Sequence, residues 1–372
     1  MESADIVVLG GGVVGMSIAW HLTRRGITDV VVVERGRRGS GSTGRGTGVI
    51  RQQFTRGIEA AMARESVAFW SRFSDETGVD LAFNRCGHLY LITSAADLAR
   101  KQRDAAMQRR LGIPTEILSP DEIAHRVPGM RRDGILAGSF CAEDGRAVGL
   151  NALKGFADGA VACGARILED TEVTGIRVVS GAIAGVQTTA GAIATRVVIN
   201  AAGPWAAAVG DMVGVTIPVR PRRMNQYVLT GAPDLPPDMP VMADLGSTLL
   251  MAPDAAGILL GKRQYDAPGD SLEVDWDFLP TVQATAAERF PQLAGARLDR
   301  AWAGFTEVSP DSLGMIGAAA QVAGFYYANG FSGHGFMLSP ATGRLIADLV
   351  VDGAVTDLDL SQLSIERFGA RS

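Results

Sequence analysis

Six residues near the N-terminus, Gly10-Gly11-Gly12-Val13-Val14-Gly15, constrain this chain more than any other segment. They form a GxGxxG between an apolar run, Asp5-Ile-Val-Val-Leu-Gly10, and a segment that reads as a helix, Val13 to Arg25. A second apolar run, Asp29-Val-Val-Val-Val-Glu34, follows directly. Short apolar runs closed by turn residues read as buried strands. Their lack of period-two polarity predicts a parallel sheet covered on both faces. In such a β–α–β unit Gly10 permits the tight turn and Gly12 lets the backbone approach a pyrophosphate, while Gly15 lets helix and strand pack closely. The helix start at Val13 and Val14 offers N–H groups and positive dipole to phosphates. Glu34 stands nineteen residues after Gly15, at the strand end, where its carboxylate can accept from ribose hydroxyls. The unit predicts dinucleotide binding without separating NAD from FAD. A 2′-phosphate would meet the Glu34 carboxylate, which argues against NADP.

Composition narrows the remaining classes. Glycine is in excess, 46 of 372 residues, against a usual share of about 7%. With 47% apolar and 20% charged residues, a sizeable core can form and general disorder is excluded. The length suits two domains. A formal charge of −5 disfavours a nucleic-acid binder. Cys86, Cys141 and Cys163 are far apart and form no CxxC, which predicts neither disulfide framework nor zinc site and favours the cytoplasm. The four histidines, His21, His88, His125 and His334, are too scattered to propose a metal site. Ile6 to Leu22 lacks Asp, Glu, Lys and Arg, yet no basic residue precedes it and four glycines interrupt it. A signal peptide and a membrane span are therefore both poor readings.

Further along, helices are expected over Ile58 to Thr77, Ala95 to Leu111, Leu150 to Cys163 and Pro340 to Val351, with a helix start at Ser119-Pro-Asp-Glu122. Strands are expected at Leu89–Thr93, Ala165–Leu168, Val173–Val179, Ile183–Thr188, Arg196–Asn200 and Phe325–Asn329, with a β-rich stretch from Pro218 to Gly261. No linker stands out, so two domains would be interleaved.

Four blocks carry a family resemblance: the N-terminal unit through Glu34-Arg35; Gly41-Ser-Thr-Gly-Arg-Gly-Thr-Gly-Val-Ile-Arg-Gln52; Val198-Ile-Asn-Ala-Ala-Gly-Pro-Trp205; and Gly330-Phe-Ser-Gly-His-Gly-Phe-Met337. In that order they resemble the D-amino-acid oxidase/sarcosine oxidase superfamily of FAD-dependent amine oxidoreductases. The branch they look most like holds glycine and sarcosine oxidases, the sarcosine oxidase and proline dehydrogenase β subunits, and dimethylglycine dehydrogenase. The resemblance implies a mixed α/β fold: a Rossmann-like FAD-binding domain (1–80, 149–215, 301–372) and an interleaved antiparallel-sheet substrate domain (81–148, 216–300).

The resemblance also implies site residues. Ser42 and Thr43 would bind phosphate oxygens, with Thr47, Gly48 and Val49 beyond them. Val173 would offer its backbone to the adenine, and Ala202, Gly203 and Trp205 would sit at the sheet's carboxyl edge. The loop Gly330, Phe331, Ser332, Gly333, His334, Gly335, Phe336 and Met337 would lie against the flavin and support negative charge on its reduced form. His334 reads either as a structural ring or as a proton-transfer group. Arg51 stands where the family binds a substrate carboxylate, for which a guanidinium fork is suited.

Departures from the family pattern matter equally. The cysteine that holds flavin covalently in monomeric sarcosine oxidases aligns with Gly304, and the second block has no histidine, which predicts non-covalent FAD. A carboxylate-binding lysine aligns with Met337. An oxygen-activating lysine aligns near Leu259, close to Lys262. Tyr227, Met251 and Met337 would give an apolar pocket. Arg220, Arg222 and Arg223 read as a solvated edge strand. The reaction implied is oxidation of a C–N bond of an amino acid or N-alkyl amine, by hydride transfer to the flavin and hydrolysis of the imine. The electron acceptor would be O₂ or a carrier, in a protein free of nucleic acid and membrane that can oligomerise. Alternatives are a 2-hydroxy-acid or glycerol-phosphate dehydrogenase, a flavin-binding β-like subunit of a hetero-oligomer, and an NAD-linked dehydrogenase.

Overall fold

The structure is a computed structural model describing residues 2–232, 235, 238–264 and 271–369. The N-terminal unit folds as its pattern dictates: β1 (Ile6–Leu9), α1 (Val13–Arg24) and β2 (Val30–Val33), with both strands wholly buried. Then come α2 (Gly57–Trp70), β3 (His88–Ile92), α3 (Ala95–Arg110), β4 (Glu116–Leu118), β5 (Ala137–Cys141), α4 (Gly149–Ala162) and β6 (Arg166–Leu168). The middle of the chain is β7 (Val173–Val179), β8 (Ala182–Thr188), β9 (Gly191–Ala194), β10 (Val197–Asn200), β11 (Arg220–Thr230), β12 (Val241–Asp244), β13 (Leu249–Asp254) and β14 (Gly257–Lys262). It ends with α5 (Leu279–Arg289), β15 (Arg297–Val308), β16 (Met315–Ala318), β17 (Phe325–Asn329) and α6 (Gly335–Val351).

Two sheets matter for function. One has six strands in the order β16-β17-β10-β1-β2-β6, all parallel except the β16–β17 pair. The other has eight, β15-β11-β14-β13-β12-β3-β5-β4, antiparallel except for β12 beside β3. The six-stranded sheet places the carboxyl ends of β1, β2 and β10 on one edge, where open α/β sheets take ligands.

Backbone sterics require glycine at the first turn. Gly10 sits at φ +114°, and a Cβ there would overlap the Ala201 carbonyl. A Cβ on Gly15 would overlap the Gly10 carbonyl, so Gly15 serves packing.

Two helices differ from expectation. The expected Ile58–Thr77 helix breaks into α2 and a five-residue turn, Phe73–Thr77. The last helix starts at Gly335, one turn before Pro340. Proline leaves the carbonyl of residue i−4 unpaired, and here the Ser339 hydroxyl donates to that carbonyl, Phe336 O, at 2.9 Å. The expected start at Ser119 is present as a full capping box with Glu122.

Candidate functional site

A cavity of about 1520 Å³ runs from the carboxyl edge of the parallel sheet to the inner face of the eight-stranded sheet. In the first arm its wall is largely main chain. Gly10, Gly12, Val13 and Val14 line it at the start of α1. The Val13 N–H donates to Thr43 Oγ1 at 3.0 Å, so Thr43 sits on the helix start. Glu34 Oε2 accepts from Gly11 N at 2.7 Å and Oε1 from Gly36 N at 2.9 Å, fixing a carboxylate on the cavity wall. The Arg35 guanidinium lies 3.7 Å from the ring centre of Trp205, and both line the cavity beside Val173, Ala202 and Gly203.

The second block crosses the cavity floor with Ser42, Thr47, Gly48 and Val49. Ser42 Oγ donates to Phe305 O at 2.7 Å, which ties this loop to β15 next to Gly304. Ser332, Gly333, His334, Gly335, Phe336 and Met337 line it as well. Gly15, Gly330 and Phe331 do not reach the cavity. Phe331 is buried in the core, and Gly330 adopts φ +74° at the turn.

In the second arm the floor is the sheet itself. Register places Gln226, Gly261, Leu250, Ala243 and Tyr90 side by side across β11, β14, β13, β12 and β3, and all five line the cavity. The adjacent row, Tyr227, Leu260, Met251, Met242 and Leu89, is buried and packs outward with Val282 and Ala286 of α5. Strand side chains alternate between faces. Tyr227 and Met251, expected in the pocket, therefore lie on the far side, and the Tyr227 hydroxyl donates to Asp275 O. Lys262 also leaves the floor, its ammonium donating to Ser247 O, while Arg263 lines the cavity. The arginine cluster pairs with β15 on one side only, since the ladder from β11 to β14 begins at Gln226. Arg222 lines the cavity, and Arg223 reaches Asp275 at 3.8 Å.

Arg51 and His334 meet here. Arg51 Nη2 donates to His334 Nε2 at 2.8 Å and Nη1 to Gln53 O at 3.1 Å, with the guanidinium 4.2 Å from the Phe54 ring centre. Burial, then the charge of Arg51, holds the His334 pKa below its ordinary value. Sequence reasoning missed several neighbours. His88 is 2% exposed, and its Nδ1 has no hydrogen-bond partner among the described residues. Burial, then Arg51 and Lys101, keeps that ring neutral. Lys101 sits 3.6 Å from the Tyr90 ring centre, and burial brings its pKa to about 7. Burial raises Asp144 to about 7, although it accepts from Gln52 N at 2.9 Å and Gln53 Nε2 at 3.2 Å. Burial raises Glu307 to about 7 also, and its Oε2 has no partner among the described residues. The signal that could have found His88 and Tyr90 was their i, i+2 spacing on one strand. Glu307 lies three residues beyond Gly304 on β15.

These residues fit a dinucleotide. Glu307 Oε2, His88 Nδ1 and Gln226 Oε1 are buried polar atoms in residues that line the cavity, without partners among the described residues. Such atoms have to be met by water or a ligand. No group of His, Cys, Asp and Glu among the described residues could hold a metal, and no described helix is long and apolar enough to cross a membrane.

Known proteins agree with this architecture. The chain is 30% identical to FAD-dependent oxidoreductase domain-containing protein 1 of Xenopus laevis, over 99% of this chain and 83% of that protein. It is 27% identical to human mitochondrial sarcosine dehydrogenase, over 99% of this chain and 42% of that protein. The solved structure of L-proline dehydrogenase from P. horikoshii superposes with a TM-score of 0.92 at 32% identity, covering 99% of this chain and 98% of that one. The sequence profile of the FAD dependent oxidoreductase family matches residues 5–349, and the chain belongs to that family.

Proposed function

We propose that this FAD-dependent oxidoreductase oxidises the C–N bond of a carboxylate-bearing amine, either an amino acid or an N-alkyl amino acid. The observation that carries the reading is Arg51 on the cavity wall, with its guanidinium held at 2.8 Å by a neutral His334. FAD, when bound, accepts the hydride equivalent that leaves the carbon beside the nitrogen. Arg51 holds the substrate carboxylate and so sets which carbon faces the cofactor. Arg51 and Arg263 both line this arm, and their charges disfavour an ammonium there, keeping the amine lone pair free to form the C=N bond. Glu307, neutral below about pH 7, adds no competing negative charge. Water then adds to the released imine.

The cofactor domain is assigned to 1–80, 149–215 and 301–372 and the substrate domain to 81–148 and 216–300, with β15 as the seam, since it belongs to the larger sheet yet carries Gly304. Attachment of FAD is proposed to be non-covalent, since none of Cys86, Cys141 and Cys163 lines the cavity. The three free thiols fit a reducing compartment such as the cytoplasm.

The test is anaerobic reduction of the bound flavin by a panel of amino, N-methylamino, cyclic imino and hydroxy acids. Bleaching by N-alkyl or amino acids is expected; bleaching by hydroxy acids alone overturns the reading. Arg222 on the cavity wall supports the second reading, a 2-hydroxy-acid or glycerol-phosphate dehydrogenase. Repeating the assay in air distinguishes O₂ from a protein or quinone carrier as acceptor. Acid precipitation that leaves all flavin in solution supports non-covalent binding.

A further inference from the structure

A guanidinium has only donors, so His334 Nε2 must be the acceptor of the 2.8 Å bond from Arg51. The ring is neutral, so its one proton sits on Nδ1. The Arg51 bond favours this tautomer from the Nε2 side, and a group facing Nδ1 can favour it from the other. His334 Nδ1 is buried without a hydrogen-bond partner, and so is Glu59 Oε1. The two atoms are 3.7 Å apart. This is beyond a formed hydrogen bond, but within the range at which a buried carboxylate orients an N–H dipole.

The surroundings leave little else to do so. Phe54 closes one side of the imidazole edge-on, with ring centres 4.9 Å apart. The charged groups acting on His334 are Arg51, Glu59 and Arg263, and Glu59 alone favours a proton on it. Glu59 is 7% exposed and lies in the first turn of α2, where the helix dipole accommodates a carboxylate.

We propose that Glu59 is a positioning residue: through His334 it fixes the direction in which the Arg51 fork faces. Gln53 O and His334 each take one guanidinium N–H. One N–H on each of Nη1, Nη2 and Nε is left for a carboxylate. This inference rests on the reading that Arg51 holds the substrate carboxylate.

The test has two parts. Nitrogen-15 NMR of histidine-labelled apoprotein and holoprotein should show His334 protonated on Nδ1; protonation on Nε2 overturns the inference. Calorimetric titration of the holoprotein with benzoate should then weaken on the order of tenfold in Glu59→Gln, the scale of losing an orienting partner one contact removed. Glu59→Asp should recover part of that affinity, and benzyl alcohol binding should not change. Flavin content and thermal midpoint of each variant establish that it is folded. If Arg51→Lys loses benzoate but Glu59→Gln and Glu59→Asp bind it as the parent does, the inference fails and the carboxylate reading stands. If Arg51→Lys binds benzoate normally, both fail.

Discussion

From Gly10 to Thr43 the cavity wall is mostly main chain and small side chains, with Glu34 and Arg35 as the charged exceptions; around Arg51, Tyr90 and His334 it is large side chains, buried or half-buried. The first arm presents mainly peptide N–H groups and a helix start, whose partial charges do not titrate. The second is lined by Arg51, His88, Glu307 and His334, with Lys101 and Asp144 buried behind them, and burial shifts the pKa of His88, Lys101, Asp144, Glu307 and His334 toward neutral forms. A backbone-built site fails when atoms are added to it. A side-chain site fails when one charge is removed, because its partners are left buried and unpaired.

The largest effect is therefore expected from added bulk in the first arm. Gly10→Val would drive a side chain into the Ala201 carbonyl, at a backbone φ of +114° on the cavity wall. We expect a stability loss of about 3 kcal/mol in urea denaturation and purification without flavin. A variant with full flavin and an unchanged midpoint would break the contrast between the arms. Next is charge removal in the second arm. Arg51→Ala should lower kcat/KM by about 30- to 1000-fold, that is about 2–4 kcal/mol of lost transition-state binding, with normal flavin content. Loss of flavin together with activity would mean that the two arms are not separable.

The same contrast explains what could be read from the sequence. The first arm is local: strand, turn, helix and acid lie within thirty residues, and each glycine has a steric reason that sequence spacing exposes. The second arm is assembled by register across five strands drawn from residues 88 to 261. Choosing Tyr227 rather than Gln226, or Met251 rather than Leu250, required knowing which face turns inward. One residue of phase reverses that choice. Glu59 and Glu307 were not legible at all, since nothing local marks a carboxylate as one that tertiary packing will bury. Arg51 was placed only by resemblance, and its contact with His334 joins positions 283 residues apart.

A pH series sharpens the comparison further. The Asp144 pKa is raised from 3.8 to about 7 by burial. Folding therefore favours the neutral acid, so this stabilisation is complete below about pH 4 and is lost as pH rises toward 7. Asp144→Asn removes the dependence. Relative to the parent it should become more stable by at most about 1.4 kcal/mol per pH unit between about 4 and 7, with a flat difference above. Thermal or urea midpoints at half-unit intervals would measure this. A difference that is constant from pH 4 to 8 would show that Asp144 is ionised throughout, and that the second arm is less dry than its geometry implies.

The smallest effect tests the phase of the sheet itself. Tyr227 and Gln226 are neighbours in sequence on opposite faces of β11. Tyr227→Phe removes the hydroxyl that donates to Asp275 O. It should cost about 0.5–1.5 kcal/mol of stability and leave kcat/KM within about twofold, because that face does not touch the cavity. Gln226→Leu should do the reverse: KM or flavin affinity changes while the midpoint barely moves, since its Oε1 has no partner to lose among the described residues. Should Tyr227→Phe alter KM more than Gln226→Leu does, the register that separates the two rows is wrong. The substrate arm would then have to be rebuilt with Tyr227, Met251 and Lys262 facing inward.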